Sequence, residues 1–343
     1  ISNAIEAMPA GGVLALTTNA AFAQTAITWW HGMGGRNGEV INEVSQKFNE
    51  AQSECALTPV SKGSYEEALS AGIAAFRSGE QPNILQVFDA GAATIINAKG
   101  ATIAAEDLLK DNGFEFNREA FIEGVRYFYA DSDGKFVGMP FNSSAPIMYI
   151  NDEALKKAGV EAPKTWEEFE AALKAVKAAD PARCAYGYEP SVWIDLEQFS
   201  AIHNVGIATN NNGYDGMDTT FTFNTTLHVK HMENIQRWMT EGLAELKTAA
   251  SGMTSQDAFA QNVCTFYTGS IASHSSIHLK AVEGLAWDVI MLPVYEGNTR
   301  HNSVVGGASL WVLSGKSEDE YRGAAEYMKF LATAESERWW VSN

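Results

Sequence analysis

Three short stretches carry groups able to grip a small polar molecule. Asn142-Ser143-Ser144 offers an amide and two hydroxyls on what reads as extended backbone. Thr268-Gly269-Ser270 offers two more hydroxyls around a glycine, and Gly306-Gly307 offers N–H groups with no side chain in the way. Tyr65 and Asp89 add a phenol and a carboxylate. Oriented neutral donors of this kind can surround a polyol or a phosphate without a cationic partner. Each stretch also has a plainer use: serines cap helices, glycines permit positive φ, and an acidic residue at a strand end is often only solvated.

Catalytic signatures are missing. The chain has no GxGxxG opening a helix, no GxxxxGKS/T, no HExxH and no GxSxG. Four histidines form two local pairs, His228 with His231 and His274 with His278. No cysteine or acid follows the second pair at metal-ligand spacing, so solvated helix histidines are the plainer reading than zinc. Ser143 or Ser144 with a distant histidine and acid would make a hydrolytic set, a secreted hydrolase in the extreme, but nothing local supports it. The residues point to binding rather than catalysis, with neither metal nor cofactor.

The elements that must position these groups alternate. A short β-like run at Ala26–His31, the turn Gly32–Gly35 and a helix with Val40, Ile41, Val44 and Phe48 on one stripe come first. A strand at Cys55–Val60, a helix at Tyr65–Phe76 and a strand at Asn83–Asp89, broken by Gly91, follow. Such alternation predicts an α/β fold with a largely parallel sheet covered on both faces. Ligands collect outside the carboxyl ends of such strands, where His31, Tyr65 and Asp89 should lie. Thr165 with Glu168, and Ser317 with Glu320, have capping-box spacing. Helices are expected near Val229–Leu243 and Ser255–Val263, and strands at Trp287–Pro293 and Val304–Val312.

With 343 residues the chain exceeds the size of one usual core, which predicts two domains. Its 42 acidic against 24 basic residues give a net charge of −18, which repels nucleic acid and anionic membranes. The small-x-small ending Ala21-Phe22-Ala23 resembles a signal-peptide cleavage site and predicts export, although no basic residue precedes it. An oxidising compartment permits one disulfide among Cys55, Cys184 and Cys264; Cys184–Cys264 is the pair to test, and buried free thiols remain equally open.

Longer strings narrow the field: KGSYEEALSAGIAAFRSG from Lys62, PNILQV from Pro82, MPFNSSAPIMYIN from Met139, PKTWEEF from Pro163 and VVGGASLWVLSGK from Val304. On these the chain resembles family 1 of the extracellular solute-binding proteins of ABC importers. The resemblance implies a periplasmic-binding-protein-like fold, two α/β lobes joined by a hinge, in a monomer that hands its ligand to an ABC permease in the inner membrane from the periplasm. Residues 25–140 with 305–343 would form one lobe and 145–303 the other, with crossovers near 139–146 and 303–309. It also implies sn-glycerol 3-phosphate as ligand, with glycerophosphodiesters such as glycerophosphocholine; sugars and polyols are the alternative within the family. The family's ligand contacts fall on Tyr65, Ser144, Ser270 and Gly307, its Trp-Ile-x-Leu-Glu tryptophan on Trp193, and a cleft glutamate on Asp89, one methylene shorter. Family members continue past this point with a cleft tyrosine and arginine, so the sequence reads as a fragment.

Overall fold

The computed structural model describes residues 24–126, 129–131 and 133–342. The cleavage-like segment ending at Ala23 lies outside the described residues. Strand β1 (Thr25–His31) buries Ile27, Trp29 and His31 in alternation, as a half-covered strand should. Helix α1 (Gly35–Ala51) buries the stripe Val40, Ile41, Val44 and Phe48. After β2 (Cys55–Ser61), helix α2 (Tyr65–Ser78) starts where the Ser64 hydroxyl accepts the Glu67 N–H. It stops at Gly79, whose φ of 75° suits a residue without a Cβ. Strand β3 (Ile84–Phe88) then runs directly into α3 (Asp89–Asn97). Asp89 is therefore the first residue of a helix, not the last of a strand, and Gly91 lies inside that helix. A carboxylate at a helix start is favoured by the free N–H groups there.

Three further strands complete the first sheet: β4 (Thr102–Ile103), β5 (Met139–Ser144) and, much later, β11 (Gly306–Leu313). The order is β2-β1-β3-β11-β4, with β5 also on β11. The second sheet is built from β6 (Pro146–Asn151), β7 (Cys184–Tyr188), β8 (Ala244–Leu246), β9 (Cys264–Ser270) and β10 (Trp287–Ile290), in the order β10-β6-β9-β7-β8. The sheets are mixed rather than largely parallel. Strands β1, β2 and β3 are parallel, whereas β11 opposes β3, β4 and β5, and β6 opposes both β9 and β10. The reason is topological. Strand β11 enters the first sheet from the second one, not through a helical crossover of its own, so nothing obliges it to run parallel.

Each sheet has its own core. Trp29, Phe48, Tyr327 and Met328 anchor the first, and Phe169, Trp238, Phe266 and Tyr295 the second. Both capping boxes form, at Thr165 and Ser317. The helices expected at Val229–Leu243 and Ser255–Val263 span Leu227–Thr240 and Ser255–Ala260. The chain leaves the first sheet at Ser144 and enters the second at Pro146, with Ala145 alone between them. It returns through residues 291–305.

The fold places the cysteines and the two histidine pairs. Cys184 and Cys264 are register partners on the parallel pair β7/β9 and form a disulfide across 4.4 Å between their Cα atoms, leaving Cys55 a buried thiol. His228 and His231 are not solvated: both are 3% exposed, packed around Phe199 in the second core. Their helix turns that face inward, which a two-residue spacing motif does not reveal. His274 and His278 do lie on an exposed face.

Candidate functional site between the two sheets

The site is assembled where β5 and β11 begin their pairing, because both strands lead across to the second sheet. Gly307 pairs with Ser143 and Gly306 with Ser144. Gly307 has φ of 144°, and a Cβ there would sit 2.0 Å from the Asn142 carbonyl oxygen, so only glycine lets the strands approach this closely. Its N–H donates to the Asp89 carboxylate, bringing α3 to the same place. Burial raises the Asp89 pKa, and the N–H groups of Ala90 and Gly307 partly offset that.

Gly306 serves the other side. A Cβ on it would meet the Trp193 indole at 2.8 Å, so the bare backbone is the seat of that ring. Trp193 opens a π-helical segment, Trp193–Gln198, of the kind often found at functional sites. Its indole N–H is buried and has no acceptor among the described residues. The segment is tied to the returning chain by Gln198, whose amide oxygen accepts the Val304 N–H and the Ser303 hydroxyl, each at 2.9 Å. The Ser144 and Ser270 hydroxyls touch each other across the sheets. Ser270 is held in turn, its hydroxyl accepting the Ala272 N–H and its carbonyl the Tyr149 hydroxyl.

Tyr65, the first residue of α2, stacks on Phe88 at 5.6 Å. Its hydroxyl accepts from the Asn142 amide at 3.0 Å; Asn142 accepts from Gln86 at 3.0 Å; Gln86 accepts the Gly32 N–H at 3.0 Å. This chain fixes the phenol and leaves its own hydrogen facing nothing better than the Met33 sulfur at 3.5 Å. Burial raises the Tyr65 pKa, so the phenol stays protonated and able to donate.

All six residues singled out in the sequence thus lie along one seam. Tyr65 and Asp89 come from the first sheet's helices, Ser144 and Gly307 from the crossing strands, and Trp193 and Ser270 from the second sheet's side. Three other candidates serve the fold. Thr268 is buried and hydrogen-bonded to the Tyr186 hydroxyl at 2.8 Å, so it belongs to the core. Asn142 is committed to Tyr65 and Gln86 and acts as a positioning residue. His31 is buried, held to about 4 by burial, and its Nδ1 accepts the Met33 N–H at 3.3 Å. Gln86 was missed, although a glutamine inside the apolar run Ile84–Phe88 is the kind of signal that marks a buried polar tie. Among the described residues no histidine or carboxylate bonds to Ser143 or Ser144, no three metal-ligating side chains cluster, and no lysine or arginine pairs with any of the six.

A family model described as bacterial extracellular solute-binding protein matches residues 43–342. The chain belongs to that family. Extracellular solute-binding proteins of this kind serve ABC importers with a cognate permease, act outside the cytoplasm and are transport proteins, not enzymes. The sn-glycerol-3-phosphate-binding periplasmic protein UgpB of Brucella abortus is 41% identical over 94% of this chain and 74% of its own length. That of Rhizobium meliloti is 40% identical over 91% of this chain and 72% of its own. Among solved structures, UgpB from Mycobacterium tuberculosis in complex with glycerophosphocholine superposes with a TM-score of 0.77, at 17% identity, over 93% of this chain and 80% of that one. The GacH receptor of Streptomyces glaucescens, solved with acarbose, gives 0.78 at 15% identity over 93% and 78%. These structural matches establish the two-lobed α/β fold.

Proposed function

We propose that this solute-binding protein takes up sn-glycerol 3-phosphate, and glycerophosphodiesters such as glycerophosphocholine, and delivers them to its permease. The reading is carried by the seam: neutral donors from both sides of the molecule converge where two relatives of about 40% identity are named for glycerol 3-phosphate. Tyr65, Ser144, Trp193 and Ser270 supply phenol, hydroxyl and indole donors, suited to phosphate or glycerol oxygens without a counter-charge. Asp89 supplies the acceptor that glycerol hydroxyls need. Residues 25–140 with 305–343 act as one lobe and 145–303 as the other, turning about 139–146 and 303–309. The closed form makes contacts from both lobes and the open form from one, so ligand shifts the population toward closed.

Calorimetric titration with glycerol 3-phosphate, glycerophosphocholine, inorganic phosphate and maltose tests the ligand. Binding of the first two and not of maltose is expected; tight maltose binding with no response to glycerol 3-phosphate would replace this reading with a sugar binder. Small-angle scattering tests the mechanism: the radius of gyration should fall on saturation, and an unchanged radius would sink lobe closure.

A further inference from the structure

Glu197 stands four residues beyond Trp193 on the π-helical segment, just short of one π turn, and so shares its face. That face is the one seated on Gly306, whose neighbour Gly307 reaches Asp89. Glu197 is partly buried, and among the described residues its carboxylate has neither hydrogen-bond nor ion-pair partner. Asp89 accepts backbone N–H groups and likewise has no cation among the described residues. Burial raises the Glu197 pKa, and the charge of Asp89 raises it further, so the two carboxylates are near enough to repel each other. Two partly desolvated carboxylates from opposite sides, without a cation, are costly to the protein alone.

We infer that Glu197 is a specificity-determining residue, forming with Asp89 a pair of acceptors that admits only the donor-bearing end of a ligand. This rests on the proposed glycerol 3-phosphate reading and orients the ligand within it. The hydroxyl end lies between Asp89 and Glu197, and the anionic end points away toward the Ser144 and Ser270 hydroxyls. Hydroxyls donate to both carboxylates and bridge the lobes, whereas a bare phosphate meets repulsion there. Two negative charges at the hydroxyl end therefore contribute to discrimination between glycerol 3-phosphate and inorganic phosphate.

The test compares the wild type with Glu197→Gln and Asp89→Asn against glycerol 3-phosphate, inorganic phosphate, glycerol and maltose by calorimetry. Hydrogen bonds to charged acceptors are the strong ones, so Glu197→Gln should weaken glycerol 3-phosphate binding by about 10-fold or more. Inorganic phosphate binding should stay equal or strengthen, which narrows the ratio between the two. Thermal melting reports that each variant is folded; Glu197→Gln removes an unpaired charge and should not lower the midpoint. Glycerol 3-phosphate affinity and phosphate discrimination both unchanged in Glu197→Gln would overturn the inference while leaving the ligand reading intact. A wild type that binds only maltose overturns the ligand reading, and Glu197 is then judged on maltose by the same 10-fold criterion. No binding of any of the four overturns both.

Discussion

At the residue scale, the seam depends on atoms that are absent as much as on those present. Gly306 and Gly307 are adjacent, yet they fail differently. Gly306→Ala sets a methyl against the Trp193 indole at 2.8 Å, a ring that can tilt. This variant should fold with a small loss of stability, lose about 10-fold or more in glycerol 3-phosphate affinity and shift the tryptophan emission, all readable in one fluorescence titration. Gly307→Ala forces a Cβ to within 2.0 Å of a backbone oxygen at a φ of 144°. Nothing there can tilt, so it should destabilise the first lobe by several kcal/mol, on the order of 3, in denaturant melts. Asn142→Leu tests the polar tie: it strands the Gln86 amide in a fully buried site, a cost of about 1–3 kcal/mol, and releases Tyr65.

At the scale of elements, the disulfide joins the first residues of β7 and β9, while Ser270 stands at the far end of β9. It closes a separation of 80 residues, for which loop entropy gives about 4.5 kcal/mol as an upper figure. Replacing both cysteines by serine should lower the melting temperature of the second lobe and leave ligand affinity within about twofold, since β6 sets the register of β9 from Phe266 to Ser270. The elements themselves were largely legible. Apolar stripes such as Val40, Ile41, Val44 and Phe48, and the caps at Thr165 and Ser317, are local signals that tertiary structure did not overrule. Strand direction was not legible, because β11 reaches its partners β3 and β5 from more than 150 residues away in sequence, and no local pattern records which way it will run. For the site, residue type and resemblance found six members. Gln86 escaped because it acts through Asn142, a neighbour brought in by the fold, and the role proposed for Glu197 escaped because it depends on Asp89 from the other side of the seam.

At the scale of the whole molecule, acid should unfold the second lobe by titrating histidines that are neutral in the core. Burial lowers His231 to about 3 and also lowers His203 and His228. Below the ordinary histidine value near 6.5 the unfolded chain takes up protons that the folded chain refuses, so stability falls as pH drops from about 6.5 toward 3. Glu170, held low by Arg237, adds a loss in the same direction below the usual carboxylate range. Asp89 and Glu197 are raised and act oppositely, favouring the folded state as they protonate. Urea melts at pH 7 and pH 5 should show the net loss, and His231→Gln should flatten the slope by up to about 1.4 kcal/mol per pH unit. An equal slope in the variant would assign the acid sensitivity to the other buried histidines, His31, His203 and His228, instead.

The passage from one sheet to the other at Ser144-Ala145-Pro146 leaves a single residue outside both strands. A tether that short has no slack, so in the closure proposed above the ends of β5 and β6 would act as the axle. The Ser144 and Ser270 hydroxyls would sit on that axle, and helix Ser273–Lys280, which follows Ser270, touches α1 of the first sheet's side. Displacement grows with distance from a pivot. A shift at the serines too small to break their contact thus opens or shuts a gap at the rim, and a membrane partner reading the rim would sense occupancy without reaching the ligand.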